Sequence, residues 1–222
     1  MIGQAYWRFE EINEGEIFDS SPLALHGTLE GPGVSTSAVP VDLIPQSRED
    51  NTQALDLGWL DVTNGGYILV PDEDLLLTMG NRDFTIEAWV KLDQLSDTSD
   101  GNQRQVLVQK KRDSSPDKEL DYMVLVQRGA LSPEPNFGKN EDFSGREIQL
   151  IFGTGGTTWG ITSNLEINDT EWHFVSIAFD AISDAVRFGL DNTFETIPFE
   201  ANPRAINDGP LRIGSHLSLI HI

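Results

Sequence analysis

Asp83-Phe84-Thr85-Ile86-Glu87-Ala88-Trp89-Val90-Lys91-Leu92 is the stretch that decides the fold class. Phe84, Ile86, Ala88, Val90 and Leu92 alternate with Thr85, Glu87, Trp89 and Lys91. Successive side chains of a strand point to opposite faces, so this period of two marks a strand with one buried face. Working outward, similar runs recur at Tyr67–Val70, Val106–Gln109, Tyr122–Gln127, Ile148–Phe152, Trp172–Phe179, Val186–Leu190 and Leu211–Gly214. Between them lie Asn64-Gly65-Gly66, Gly80-Asn81, Gly153–Gly156, Asp191-Asn192 and Asp208-Gly209-Pro210. These residues supply the backbone freedom and local hydrogen bonds of tight turns. No segment sustains a helical period. Many short strands separated by turns predict an all-β sandwich or barrel.

The 222 residues fit one large all-β domain or two small ones, and with 38% hydrophobic and 23% charged residues the chain can bury a core. No apolar run approaches the roughly 18 residues that span a bilayer. The net charge of −21 repels phosphate backbones, so nucleic acid is not an expected partner. The same excess of carboxylates suits a solvated surface and also offers oxygen ligands to hard cations. There is no cysteine, which removes disulfides, Cys-ligated zinc and thiol nucleophiles together. The opening Met1-Ile2-Gly3-Gln4-Ala5-Tyr6-Trp7 has neither the basic nor the apolar region of a signal peptide. Residues 30–53, with Pro32, Pro40 and Pro45, read as a long loop. Ser96–Gln105, Ser114–Glu119 and Ala130–Gly145 read as polar loop insertions.

Several blocks together resemble the laminin-G, concanavalin A-like lectin/glucanase family. They are Ala54-Leu55-Asp56-Leu57, Gly66-Tyr67-Ile68-Leu69-Val70-Pro71 and the Asp83–Lys91 strand, followed by Val106–Lys110. Glu171-Trp172-His173-Phe174-Val175, Val186–Asp191 and Gly209-Pro210-Leu211-Arg212-Ile213-Gly214 continue the pattern in the same order. Ala5-Tyr6-Trp7-Arg8-Phe9-Glu10, Asp19-Ser20-Ser21 and His26-Gly27-Thr28-Leu29 resemble the family's opening, with Pro22-Leu23-Ala24-Leu25 in place of its Gly-Asn loop. The resemblance implies an antiparallel jelly roll, here one domain over residues 1–216. It also implies a final strand beyond Gly214 that pairs with the N-terminal strand. Leu217-Ser218-Leu219-Ile220-His221-Ile222 instead equals the translation of CTG TCT CTT ATA CAC ATC, which resembles a sequencing adapter. The expectation is therefore that residues 217–222 are adapter-encoded, that the natural final strand is missing, and that the protein continues.

Glucanases of related families place Glu-x-Asp-x-x-Glu on one strand, with carboxylates as nucleophile and acid. The nearest match is Glu119-Leu120-Asp121-Tyr122-Met123-Val124, where Val124 replaces the third carboxylate. The chain is therefore expected not to be an enzyme. His173 sits on a strand and reads as structural rather than as a general base. Gly153-Thr154-Gly155-Gly156-Thr157-Thr158 lacks a following Lys-Ser/Thr and reads as a hairpin turn, not a phosphate cradle.

The resemblance implies a calcium site in which Asp19 is a ligand. Asp97-Thr98-Ser99-Asp100-Gly101-Asn102 is a second acidic loop, without the glutamate of an EF-hand. Sugar recognition needs aromatic platforms with a few polar groups, and Trp159 and Trp59 are the candidates. The competing reading of Trp159 is core. Asn168-Asp169-Thr170 has the form of an N-glycosylation acceptor. The expected function is a non-catalytic recognition or adhesion module of a larger extracellular or cell-surface protein, with glycan or protein partners, Ca²⁺ and neighbouring domains. A spacer without ligand is the alternative, and a glycoside hydrolase comes third.

Overall fold

A computed structural model describes residues 5–13, 15–31, 35–39, 52–57, 66–72, 74, 76–78, 80, 82–95, 105–112, 120–127, 136–138, 144–153, 158–199, 206–214 and 219–221. The strands in chain order are β1 (Trp7–Asn13), β2 (Glu16–Asp19), β3 (Gly27–Glu30), β4 (Ser35–Ala38), β5 (Gln53–Asp56) and β6 (Tyr67–Val70). They continue with β7 (Phe84–Lys91), β8 (Gln105–Lys111), β9 (Leu120–Gln127), β10 (Asn136–Gly138), β11 (Glu147–Gly153) and β12 (Thr158–Glu166). The remainder are β13 (Trp172–Asp180), β14 (Ala185–Leu190), β15 (Thr193–Pro198), β16 (Leu211–Ile213) and β17 (Leu219–His221).

One sheet has the order β1-β2-β3-β6-β16-β8-β9-β11-β12-β10 and the other β15-β14-β13-β7-β17-β5-β4. All described pairs are antiparallel except β10 with β12. The expected all-β, antiparallel sandwich is thus the observed fold.

The core lies between the two sheets. Ala88, Val90 and Leu92 share one buried cluster with Val175, Ile177 and Phe179 of β13 and with Val124, Leu150 and Phe152 of the other sheet. In β7 the buried and exposed faces follow the sequence alternation: Ala88 and Val90 are buried, whereas Thr85 and Glu87 are exposed. β7 and β13 form eight successive cross-strand pairs from Lys91–Trp172 to Phe84–Phe179 without a register shift. Such a run holds because a one-residue slip would turn the whole apolar set to solvent.

One expectation about the chain's course changes. The long loop over residues 30–53 contains β4, whose Ser35-Thr36-Ser37-Ala38 pairs with β5 at the edge of the seven-stranded sheet. Its residues are mostly exposed, so no apolar alternation announces it. β17, which lies within residues 217–222, pairs with β5 and β7. Ile220 there is the register partner of the fully buried Val90 and Leu55. The ladder satisfies backbone groups of two strands that would otherwise be open edges.

Candidate functional site

A sheet in a sandwich needs one apolar face. The β8-β9-β11-β12 part of the ten-stranded sheet has two buried faces. Every residue of β11 is buried, as are the first four of β8. Val108, Val124, Leu150 and Ile161 form a register row toward the core. On the opposite face one row runs Gln109, Met123, Ile151, Gly160 and the next Val106, Leu125, Gln149, Thr162. Val106, Leu120, Met123, Leu125 and Ile151 form a second, separate apolar cluster there.

Polar groups are set into that apolar floor. Gln149 and Thr162 are both 1% exposed, and the Gln149 amide Nε2 donates to Thr162 Oγ1 at 2.8 Å. Gln109 is half-buried at the end of the other row. Asp121, also buried, alternates with Met123 and Leu125 and so shares their face. Thr78 Oγ1 donates to Asp121 Oδ2 at 2.5 Å.

The rim beside Asp121 is fixed by a buried polar knot. Asp72 accepts from Leu76 N at 2.8 Å, Leu77 N at 3.1 Å and Lys110 Nζ at 2.6 Å. Lys110 also donates to the Gly209 carbonyl at 2.6 Å, and both side chains of the ion pair are 0% exposed. A Cβ at Gly209 would lie 2.5 Å from the Lys111 backbone, so only glycine lets that carbonyl reach in. Tyr122 donates its hydroxyl to Leu77 O at 3.0 Å. Burial, then the charges of Asp121 and Asp72, push the Tyr122 phenol far above its ordinary range, so it stays a neutral donor. The knot ties the turn around Leu77 and Thr78 to β8 and β9. Through Thr78 it sets the carboxylate of Asp121.

The expected site residues scatter. Trp159 lies opposite Phe152 in register and packs against the core between the sheets, not on the second face. Trp59, Glu119 and the Asp97–Asn102 loop lie outside the described residues. Val124 is fully buried in the core. Asp19 is 4% exposed, and its two oxygens accept from Tyr6 N, Ser21 N, Ser21 Oγ and Leu25 N. An ionised carboxylate has about four lone-pair sites, and all are used by protein donors. The residues present therefore do not fit a calcium ion at Asp19. Among the described residues, no three of His, Cys, Asp and Glu come together as a metal-binding group.

His173 is placed by its neighbours. Its Nδ1 lies 2.9 Å from Asp191 Oδ2 and its Nε2 3.0 Å from Asp169 Oδ1. Burial pulls the imidazole pKa down, but hydrogen bonds and charge from Asp191 and Asp169 outweigh it and leave the pKa above the ordinary value. The Asp169 carboxyl is held low, first by the Glu171 N–H and then by His173. Asp191 sits at φ 52° in the β14–β15 turn, and its Oδ1 accepts from Phe174 N. The group clasps the β14–β15 turn to the segment before β13, a structural role. Asn168 of the acceptor triplet is exposed and accepts from Arg146 at 3.3 Å. Gln109, Gln149 and Thr162 were not anticipated. The available signal was a polar residue inside an otherwise apolar run, as in Ile148-Gln149-Leu150-Ile151.

Among curated proteins none matches the sequence. Among solved structures, the chain is similar to domain 4 of AbnA, a GH43 extracellular arabinanase from Geobacillus stearothermophilus, in complex with arabinotriose. The identity is 14%, with 91% of this chain and 82% of that chain covered, and the TM-score is 0.55. An alginate lyase from Alteromonas sp. 272 matches at 13% identity over 82% of this chain and 80% of that one, with a TM-score of 0.43. A family 18 polysaccharide lyase matches at 13% identity over 70% and 60%, with a TM-score of 0.39. At these identities the likeness is one of fold.

The expectation that the chain is not an enzyme is corrected: the fold is shared with a domain of a glycoside hydrolase and gives no ground for excluding catalysis, and no enzymatic role is shown. The missing third carboxylate at Val124 removes one catalytic arrangement and says nothing about the others. Residues 62–218 match Laminin_G_3 of the concanavalin A-like lectin/glucanases superfamily, and with the two-sheet sandwich that match shows that the chain belongs to this family.

Proposed function

We propose that the chain is a carbohydrate-binding domain and that its ligand contacts lie on the second face of the ten-stranded sheet. The observation that carries this is the set Gln109, Asp121, Gln149 and Thr162 on the apolar floor of Met123, Leu125 and Ile151. Burying amides and a carboxylate costs free energy unless each finds partners. A sugar presents apolar C–H faces and polar hydroxyls together, and binding pockets combine an apolar lining with a few placed polar groups. Gln109 and Thr158 are half-buried on this face, whereas Asp121, Gln149 and Thr162 are buried. The arabinotriose held by the arabinanase domain supports an oligosaccharide as the ligand class. We place the domain in an extracellular or cell-surface protein that acts on or adheres to polysaccharide.

Calorimetric titration with arabinotriose, followed by a glycan array, tests the proposal. Binding to at least one oligosaccharide is expected. The double variant Gln149→Ala, Thr162→Val should weaken it about tenfold or more while the fold is retained, given roughly 1 kcal/mol for each hydrogen bond lost. Absence of binding to any glycan, or full affinity in the double variant, overturns it.

A further inference from the structure

We infer that the 19–26 loop is a metal-independent staple, in which protein donors occupy the position a cation would take at Asp19. Each Asp19 oxygen accepts two hydrogen bonds. Oδ1 takes Tyr6 N at 2.7 Å and Ser21 N at 2.8 Å, and Oδ2 takes Ser21 Oγ at 2.6 Å and Leu25 N at 2.9 Å. Four N–H and O–H hydrogens thus point at the lone pairs that a calcium ion would share, and their positive ends repel a cation there. Calcium takes six to eight oxygen ligands, so one carboxylate would need help from loop carbonyls. Four carbonyls near the loop already accept one hydrogen bond each. Tyr6 O accepts from Ser20 N, Ser21 O from Ala24 N, Ala24 O from His26 N, and Leu25 O from Trp7 Nε1.

The sequence explains the substitution of hydrogen bonds for an ion. Pro22-Leu23-Ala24-Leu25 stands where the resembling family has Gly and Asn. The Leu25 side chain packs against the main core, and this brings Leu25 N to Asp19. Ala24 closes the turn at φ 51°, and the Trp7 indole N–H holds the Leu25 carbonyl at 3.0 Å. Asp19 N in turn donates to His26 Nδ1 at 3.0 Å. The loop therefore fastens β1 to the β2–β3 connection without help from outside the chain.

Thermal melting of the chelator-treated protein, with and without millimolar calcium, tests the inference. A ligand that binds only the folded state raises the melting temperature. No shift is expected, because no ion enters at Asp19. A calcium-dependent rise that Asp19→Asn abolishes would overturn the inference. A rise that Asp19→Asn leaves intact would put the ion elsewhere and keep the staple metal-free, as inferred. Should Asp19→Asn fail to fold, Ser21→Ala serves instead, since it removes one donor and keeps the carboxylate. Its melting temperature should fall by the same amount with and without calcium. A fall seen only in chelator, and rescued by calcium, would show that the carboxylate is a ligand.

Discussion

The β7–β13 pair and the β8–β9 pair have the same job of lining the core, yet they are built differently. β7 and β13 run eight pairs in unbroken register, with exposed and half-buried residues on the outer face and buried or half-buried ones on the inner. β8 and β9 shift register three times, and both faces of the strands are buried. The first pair is shaped by one requirement, an apolar face turned to the partner sheet. The second satisfies that requirement and also carries a row of polar groups on the far side. Bulges re-aim side chains locally and are frequent next to functional sites. The region that departs from simple alternation is thus where the candidate site lies.

The largest effects should separate the two faces of β7. Ala88 is 2% exposed, so Ala88→Asp places a carboxylate in the core and should cost above about 4 kcal/mol, enough to abolish cooperative melting. Thr85→Asp, on the exposed face, should change stability by about 0.5 kcal/mol or less. Equal losses in a denaturant titration would break the facing assignment.

Next comes the polar knot under β8 and β9. Lys110→Met leaves the Asp72 carboxylate buried without its cation and should cost about 3–5 kcal/mol. If stability is unchanged, the knot does not hold the turn that sets Asp121.

A smaller effect tests the clasp beside β13. The His173 pKa is raised in the folded state, so its stabilisation is complete below the unfolded value of about 6.5 and is lost as pH rises through the folded value. The wild-type melting advantage over His173→Gln should be larger near about pH 6 than near about pH 9. An advantage that grows with pH would contradict the clasp.

What could be read from the sequence follows the same division. β7, β13 and β14 were legible because one requirement leaves one pattern. β12 was not. In Thr158-Trp159-Gly160-Ile161-Thr162-Ser163 the polar Thr162 and Ser163 are buried, and Ser163 Oγ donates to Ile148 O at 3.0 Å. Polar residues satisfied by partners in other strands hide the period of two. β4 and β15 escaped for the opposite reason, since both are mostly exposed and edge strands need little apolar alternation. The candidate site was hardest to read because Gln109, Gln149 and Thr162 come from three strands whose register sets them in neighbouring rows, and Asp121 joins their face only through the alternation of β9. The familiar tryptophans and Asp19 drew attention first. Trp159 packs against the core, and Asp19 is a hydrogen-bonded staple.

The most direct measurement is an amide chemical-shift titration of the isotope-labelled protein with an oligosaccharide that binds, starting from arabinotriose. If the second face holds the ligand, the large shifts fall on β8, β9, β11 and β12, centred on Gln149 and Thr162, while β7 and β13 stay unmoved. Shifts centred on the outer face of β7, β13 and β14, with β11 and β12 silent, would contradict that assignment.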